Sequence, residues 1–259
     1  MSPIIAVTGG TSGIGAATIE RLQAKGAEIL SLDVHQDNRD GITSIYCDLA
    51  DKESIQAAIT QLPPCLDGLV SVAGVAPGST SPAVIMAVNF LGMRAFITGA
   101  LPRVRDAGAV VIVASSAGRD WREEPRVANL LATSGMTSGA EWLQANPGWE
   151  NEAYKFSKQC AAAWTYPAAG LGRERQVRVN TVNPGIVETK LSPQFRNMLG
   201  NEHYDFIIDQ SGRAGRPEDI AEVVEFLVGS DCGWLNGVEL TVDGGYYAGV
   251  LGGWAKPWQ

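Results

Sequence analysis

Tyr154 and Lys158 lie four residues apart in the stretch NEAYKFSKQC. At that separation two side chains share one helical face, one turn apart, so a lysine ammonium can bias the ionisation of a phenol. A free tyrosine titrates near ~10 and is a poor base at neutrality, whereas a neighbouring cation favours its phenolate. The pair permits proton exchange without requiring it, because an aromatic on an ordinary amphipathic helix has the same spacing. What the chain places beside the pair decides.

A second group of residues suits a phosphate. In TGGTSGIGAATIERL, Gly9, Gly13 and Gly15 fall where an apolar strand turns into a helix, with Ser12 and Ile14 between them. Glycines there allow a tight turn and bring the backbone close to a pyrophosphate, whose charge the helix N-terminus favours. The spacing is GxxxGxG rather than GxGxxG. Asp33 closes the next strand, EILSLD, about twenty residues on, where a carboxylate accepts hydrogen bonds from an adenosine ribose and repels a 2′-phosphate. No Arg or Lys occupies the turn or the positions just after Asp33, so NAD is expected over NADP. Asp48, with Leu49 beside it, could meet the adenine edge or be a plain strand-end aspartate.

The elements that must position these groups alternate. Short Val- and Ile-rich runs (IIAV, EILSLD, TSIYCD, GLVSVAG, AVVIVAS, VRVNTVNPG, VELTVDGG) are separated by helical patterns over Ile14 to Lys25, Asp51 to Leu62, Pro82 to Asp106 and Pro217 to Gly229. That alternation predicts a doubly wound α/β fold with a parallel, Rossmann-type sheet, as one domain over residues 1–259. Two stretches break the rhythm: a helical insertion over 119–150, before the tyrosine helix, and a helical substrate-binding flap over 190–215. Pro167 is expected to kink or end the tyrosine helix, since it lacks an N–H and clashes with the preceding turn.

Composition narrows the partners. The chain of 259 residues is 45% hydrophobic with a net charge of -8, enough for one core and unfavourable for nucleic acid or an anionic membrane surface. The cysteines, Cys47, Cys65, Cys160 and Cys232, form no CxxC pair, and His35 and His203 form no ligand cluster; inert or buried thiols and no metal are expected. The N-terminus enters a strand directly, and no apolar run reaches the eighteen or so residues of a spanning helix, so a cytoplasmic location is expected.

Taken in order, TGGTSGIG, Asn89 in MAVNFLGMRAF, the serine of VASSAG, YKFSK, NPGIVET and VDGG resemble the short-chain dehydrogenases/reductases in their single-domain form. The resemblance spans nearly the whole chain and implies an NAD-dependent alcohol dehydrogenase or carbonyl reductase. It makes Tyr154 the acid/base, exchanging a proton with the substrate oxygen while a hydride passes to or from nicotinamide. Lys158 would hold the nicotinamide ribose and favour the phenolate, and a serine would position the substrate oxygen. Alignment with the family's strand pattern selects Ser115 over Ser116 for that serine. Asn89 would anchor a water linking the lysine to solvent, or brace its helix to the neighbouring strand. Pro184 and Gly185 end the sixth strand, and by resemblance Ile186 and Thr189 face the carboxamide and pyrophosphate. Ala73 and Gly74 adjoin the adenosine side.

The chain also departs from the family. Val72-Ala73-Gly74 stands where Asn-Ala-Gly is usual, which removes a bracing asparagine. The long separation of Ser115 from Tyr154 resembles the 3α-hydroxysteroid dehydrogenase/carbonyl reductase branch, whose insertion covers a surface relatives use to form tetramers; a homodimer is expected, with a tetramer the alternative. Trp121, Trp142 and Trp149 of the insertion, and Phe195, Met198, Leu199, Tyr204 and Phe206 of the flap, would line an apolar pocket for an alicyclic alcohol or ketone, hydroxysteroid- or terpenol-like. The tail GVLGGWAKPWQ would fold over its own or a partner's pocket. Two other readings compete: an NAD(H) sensor without turnover, which would not need the proton-transfer residues, and a nucleotide-sugar epimerase, which needs a larger C-terminal domain.

Overall fold

The computed structural model describes residues 2–257. The chain runs β1 (Ile4–Thr8), α1 (Gly13–Ala24), β2 (Glu28–Asp33), β3 (Ile42–Tyr46), α2 (Lys52–Gln61), β4 (Leu66–Ser71), α3 (Pro82–Met86), α4 (Met93–Ala100) and β5 (Val104–Val113). It continues through α5 (Pro125–Leu131), α6 (Met136–Ala145), α7 (Ala153–Leu171), β6 (Arg178–Pro184), α8 (Ser192–Leu199), α9 (Asn201–Ser211), α10 (Pro217–Val228), β7 (Glu239–Val242) and α11 (Tyr246–Gly252).

The strands form one parallel sheet in the order β3-β2-β1-β4-β5-β6-β7. Alternate residues serve opposite faces. Leu69 and Val110 join a core with Ile59, Phe96 and Phe156 from α2, α4 and α7. Val70 and Val111 join another with Ile19 and Val224 from α1 and α10. Burial on both sides explains why the strands read as continuous apolar runs. The strand order reverses at β1 and β4, and there the carboxyl ends open a crevice.

Three local expectations change. The helix expected over Pro82 to Asp106 stops early: α3 passes through a π-helical turn, Ala87–Gly92, into α4, and Val104 already pairs with Leu66 of β4. A place on the sheet overrides local helical pattern. The helical run Pro82–Arg103 is also long and apolar enough to cross a membrane, contrary to the sequence reading. Its Met86, Phe90, Phe96 and Ile97 are spent on the core. Pro167 does not end α7, which continues to Leu171; the proline sits on the exposed side of the helix. Cys47, Cys160 and Cys232 are buried, whereas Cys65 is exposed.

Candidate active site

The crevice begins at the glycine turn, where the fit is steric. A Cβ on Gly9 (φ +71°) would lie 2.7 Å from the Ala73 backbone, and one on Gly15 would lie 2.0 Å from the Gly9 carbonyl oxygen. Strand, turn and helix therefore pack backbone to backbone. Ser12, at the N-cap of α1, makes no side-chain cap bond, and the helix N-terminus opens on the cleft together with Ser12, Gly13 and Ile14. A backbone cradle at a helix N-terminus suits a pyrophosphate.

Asp33 lines the cleft beside the glycine turn. Its Oδ2 accepts from Thr11 Oγ1 (2.7 Å) and Thr11 N–H (3.2 Å), and its Oδ1 accepts from His35 N–H (3.1 Å). Asp48 braces its own turn by accepting from Ala50 N–H (2.8 Å), and with Leu49 it also lines the cleft. The bracing lost with the usual asparagine after β4 is supplied by Thr8, whose Oγ1 accepts from Val72 N–H (3.2 Å) and Ala73 N–H (3.3 Å). Sequence reading overlooked Thr8.

Asn89 sits in the π-helical turn and is buried. Its Oδ1 accepts from Val75 N–H (2.8 Å), while Nδ2 donates to Val75 O (3.1 Å) and to Ser157 Oγ (3.3 Å). Ser157 in turn donates to the Tyr154 carbonyl (2.7 Å). The side chain thus ties the segment after β4 to α7, which satisfies a buried amide that would otherwise be costly. Gly74 completes the junction: a Cβ there would stand 3.2 Å from Asn89 Oδ1 and 3.5 Å from Lys158 Nζ.

Ser115 follows β5, and its Oγ accepts from Ala117 N–H (3.2 Å). Gly118 then lets the turn lie on α7, since a Cβ would meet the Lys158 carbonyl oxygen at 2.4 Å. This brings the Ser115 hydroxyl beside the Tyr154 phenol, both on the cleft wall. Burial pushes Tyr154 up to about 12, and the neighbouring Ser115 hydroxyl opposes that rise. Lys158, whose Nζ is 5.7 Å from the Tyr154 ring centroid, is itself lowered to about 8 by burial. The expected lowering of the tyrosine by the lysine is therefore outweighed: loss of solvation disfavours both charges.

Across the cleft, Gly185 N–H donates to Val242 O (3.0 Å), and a Cβ on Gly185 would sit 2.7 Å from Asp243 Cβ. The chain beyond Pro184 then carries Ile186 and Thr189 along the cleft wall. Thr189 Oγ1 accepts from Leu191 N–H (3.1 Å), and its methyl group lies 3.3 Å from where a Gly13 Cβ would be. The loop after β6 thus closes over the glycine turn.

The cleft holds about 1390 Å³ and reaches from the glycine turn to α8 and α9. Phe195, Met198, Leu199 and Tyr204 line it as expected, but Phe206 does not, and neither do the three insertion tryptophans. Trp149 is buried, with Nε1–H donating to Leu143 O (3.1 Å). Trp142 packs on the core. Trp121 donates to Glu239 Oε1 (3.1 Å) and lies 5.6 Å from the Tyr166 ring. The insertion spends its apolar face roofing the π-helical turn and α7, and buried Arg94 secures it by donating to Thr133 O (3.1 Å), Thr133 Oγ1 (3.0 Å) and Gly135 O (2.8 Å). Its contribution to the cleft is polar: Arg119, Asp120 and Glu150. The tail lines its own chain's cleft through Val250 and Pro257, just beyond Tyr246 and Tyr247, which line it too. Lys256 N–H docks it on Gln210 Oε1 (2.9 Å). Trp254 is 65% exposed, and Trp258 lies outside the described residues.

Similarity to known proteins covers the same span. A family model described as enoyl-(acyl carrier protein) reductase matches residues 9–247. The chain is 32% identical to coniferyl-alcohol dehydrogenase of Pseudomonas sp. (strain HR199 / DSM 7063), across 93% of this chain and 95% of that one. It is 28% identical to 3-alpha-hydroxysteroid dehydrogenase/carbonyl reductase of Comamonas testosteroni, with 93% and 95% covered. The crystal structure of 3-alpha-hydroxysteroid dehydrogenase from Pseudomonas sp. B-0831, complexed with NADH, superposes with a TM-score of 0.79 at 30% identity, covering 96% of this chain and 97% of that one.

Proposed function

The chain belongs to the short-chain dehydrogenase/reductase family and is an oxidoreductase using a nicotinamide cofactor, and on that premise we propose that it interconverts a bulky, ring-bearing apolar secondary alcohol and its ketone with NAD. The observation that carries this reading is the meeting of Ser115, Tyr154 and Lys158 where the glycine-turn cleft joins the apolar flap.

The nicotinamide, when bound, supplies or takes up the hydride. Gly9, Gly13, Gly15, Ser12 and Ile14 would hold its pyrophosphate, Asp33 and Asp48 its adenosine end, and Ile186 and Thr189 its far end. Ser115 and Tyr154 would grip the substrate oxygen between two hydroxyls. At neutral pH the buried pair is a phenol and an ammonium, so Tyr154 is set to donate a proton to a carbonyl oxygen as it becomes an alkoxide. In the reverse direction the positive charges of Lys158 and of oxidised nicotinamide favour the phenolate that accepts the proton.

NAD is supported by the Asp33 carboxylate lining the adenosine end, which repels a 2′-phosphate. A ring-bearing substrate is supported by Phe195, Tyr204, Tyr246 and Tyr247 in the cleft wall, together with the hydroxysteroid activity in the names of two similar proteins. The same aromatic wall favours a second substrate reading, an aromatic alcohol of the coniferyl type. A homodimer is the proposed assembly; fully exposed Trp234 and half-exposed Phe226 offer apolar surface for it.

A panel of cyclic secondary alcohols and aromatic alcohols, assayed with NAD and with NADP by absorbance of the reduced cofactor, tests the reading. Turnover of a cyclic secondary alcohol with NAD supports it. NADH binding without turnover across the panel would favour a sensor instead.

A further inference from the structure

The peptide joining Gly10 to Thr11 is held on both sides by charged groups. Its N–H, on Thr11, donates to Asp33 Oδ2 (3.2 Å), while its carbonyl, on Gly10, accepts from Arg39 Nη2 (2.6 Å). In a trans peptide these two groups point in opposite directions, so a carboxylate and a guanidinium together fix the plane. There is little slack elsewhere, because a Cβ on Gly10 would fall 2.4 Å from Ser31 Oγ and 2.5 Å from Ile19 Cδ1.

Arg39 is anchored in turn. Asp37, whose side chain is 3% exposed, accepts from Arg39 Nε (2.9 Å) and Nη2 (2.5 Å) in a two-pronged pair. Asp37 N–H donates to Ser44 Oγ (2.9 Å), which fastens the loop to β3. Arg39 Nη1 reaches the Ala16 carbonyl (3.4 Å). The guanidinium does not line the cleft, and its Nε and Nη2 are committed to Asp37 and Gly10. It therefore acts on the turn from behind and is not a contact for the dinucleotide.

We infer that Arg39, anchored by Asp37, is a positioning residue of the cofactor site: by fixing the Gly10–Thr11 peptide it sets the aim of the backbone N–H groups that follow at the N-terminus of α1. This rests on the reading that the glycine turn holds a dinucleotide pyrophosphate. A charge-assisted bond to a carbonyl is strong and directional, and a helix N-terminus binds an anion only where its N–H groups converge.

The test is NADH fluorescence titration of wild type, Arg39→Ala, Arg39→Lys and Asp37→Asn, with KM for NAD, kcat at saturating NAD and urea unfolding of each. Arg39→Ala is expected to raise both the NADH Kd and the KM about tenfold while kcat stays within about twofold, the loss of one charge-assisted contact. Arg39→Lys restores part of the affinity, because an ammonium can still donate to the Gly10 carbonyl. Asp37→Asn raises the Kd about threefold by loosening the anchor. A folded Arg39→Ala with unchanged Kd overturns the inference, even if its urea midpoint falls. If that variant does not fold, unchanged Kd in both Arg39→Lys and Asp37→Asn overturns it. Wild-type protein that does not bind NADH overturns the dinucleotide reading itself.

Discussion

The ring of Phe195 stands edge-on to that of Tyr154, with centroids 5.1 Å apart and planes at 65°. Edge-to-face packing of this kind adds about 0.5–1.5 kcal/mol beyond the area it buries. It couples α8 to the proposed acid/base residue, whose buried phenol it helps cover. Phe195→Ala is expected to raise KM for the alcohol about tenfold and to leave NADH affinity unchanged. Steady-state kinetics beside a fluorescence titration separate the two, and an unaltered KM would detach α8 from the substrate.

Tyr154→Phe keeps the ring against Phe195 and removes only the hydroxyl. Turnover is expected to fall at least about a thousandfold, within the range for lost general acid/base catalysis, with NADH binding retained. Wild-type turnover in this variant would remove Tyr154 from the chemistry.

Burial gives the Tyr154–Lys158 pair opposite effects on stability in two pH windows. Lys158 is lowered from 10.5 to about 8, so between those values the unfolded state binds more protons and stability rises with pH. Tyr154 is raised from 10.0 to about 12, so in that higher window the folded state holds the extra proton and stability falls with pH. Lys158→Met should therefore lose a gain of about 2 kcal/mol between roughly pH 7.5 and 9.5. Urea unfolding of both proteins across that range measures it; parallel profiles would contradict the burial.

Asp33 holds Thr11 as well as serving as the proposed adenosine contact, so two variants should divide its roles. Asp33→Ala is expected to narrow the NAD over NADP preference by about tenfold or more and to weaken NAD binding too. Thr11→Val should weaken NAD by only about threefold and leave the preference unchanged. Ratios of kcat/KM for the two cofactors decide, and a preference shifted equally by both variants would argue against direct ribose recognition.

Arg94 is the buried tie between α4 and the insertion. Arg94→Met keeps apolar volume but leaves the Thr133 and Gly135 carbonyls without their donor, a loss of about 3 kcal/mol. Urea unfolding gives the magnitude, and limited proteolysis should cut first between α5 and α6. Wild-type stability would mean that the insertion is held by its apolar face alone.

The sheet was legible because its inner strands are buried on both faces and read as apolar runs rich in Val and Ile. Tyr154 and Lys158 were legible because one turn of helix fixes their relation. The insertion tryptophans were misassigned for a physical reason: helical spacing shows that an aromatic faces something, and only packing decides whether that is core or cleft. Arg39 and Thr8 left no local signal, since each acts on backbone groups distant in sequence. Ser157 was passed over because its partner Asn89 lies in another helix. Pro167 misled in the other direction, because an exposed position tolerates a proline that a packed one would not.

Gly185 lies against Asp243, and Thr189 against Gly13, so the cofactor cleft joins parts from nearly the two ends of the chain. A nascent chain still lacking β7 would own the glycine turn and the loop opposite it, but not the Val242 and Asp243 support on which that loop rests. Dinucleotide that stabilises by mass action only what it binds would then favour the finished fold over every shorter intermediate.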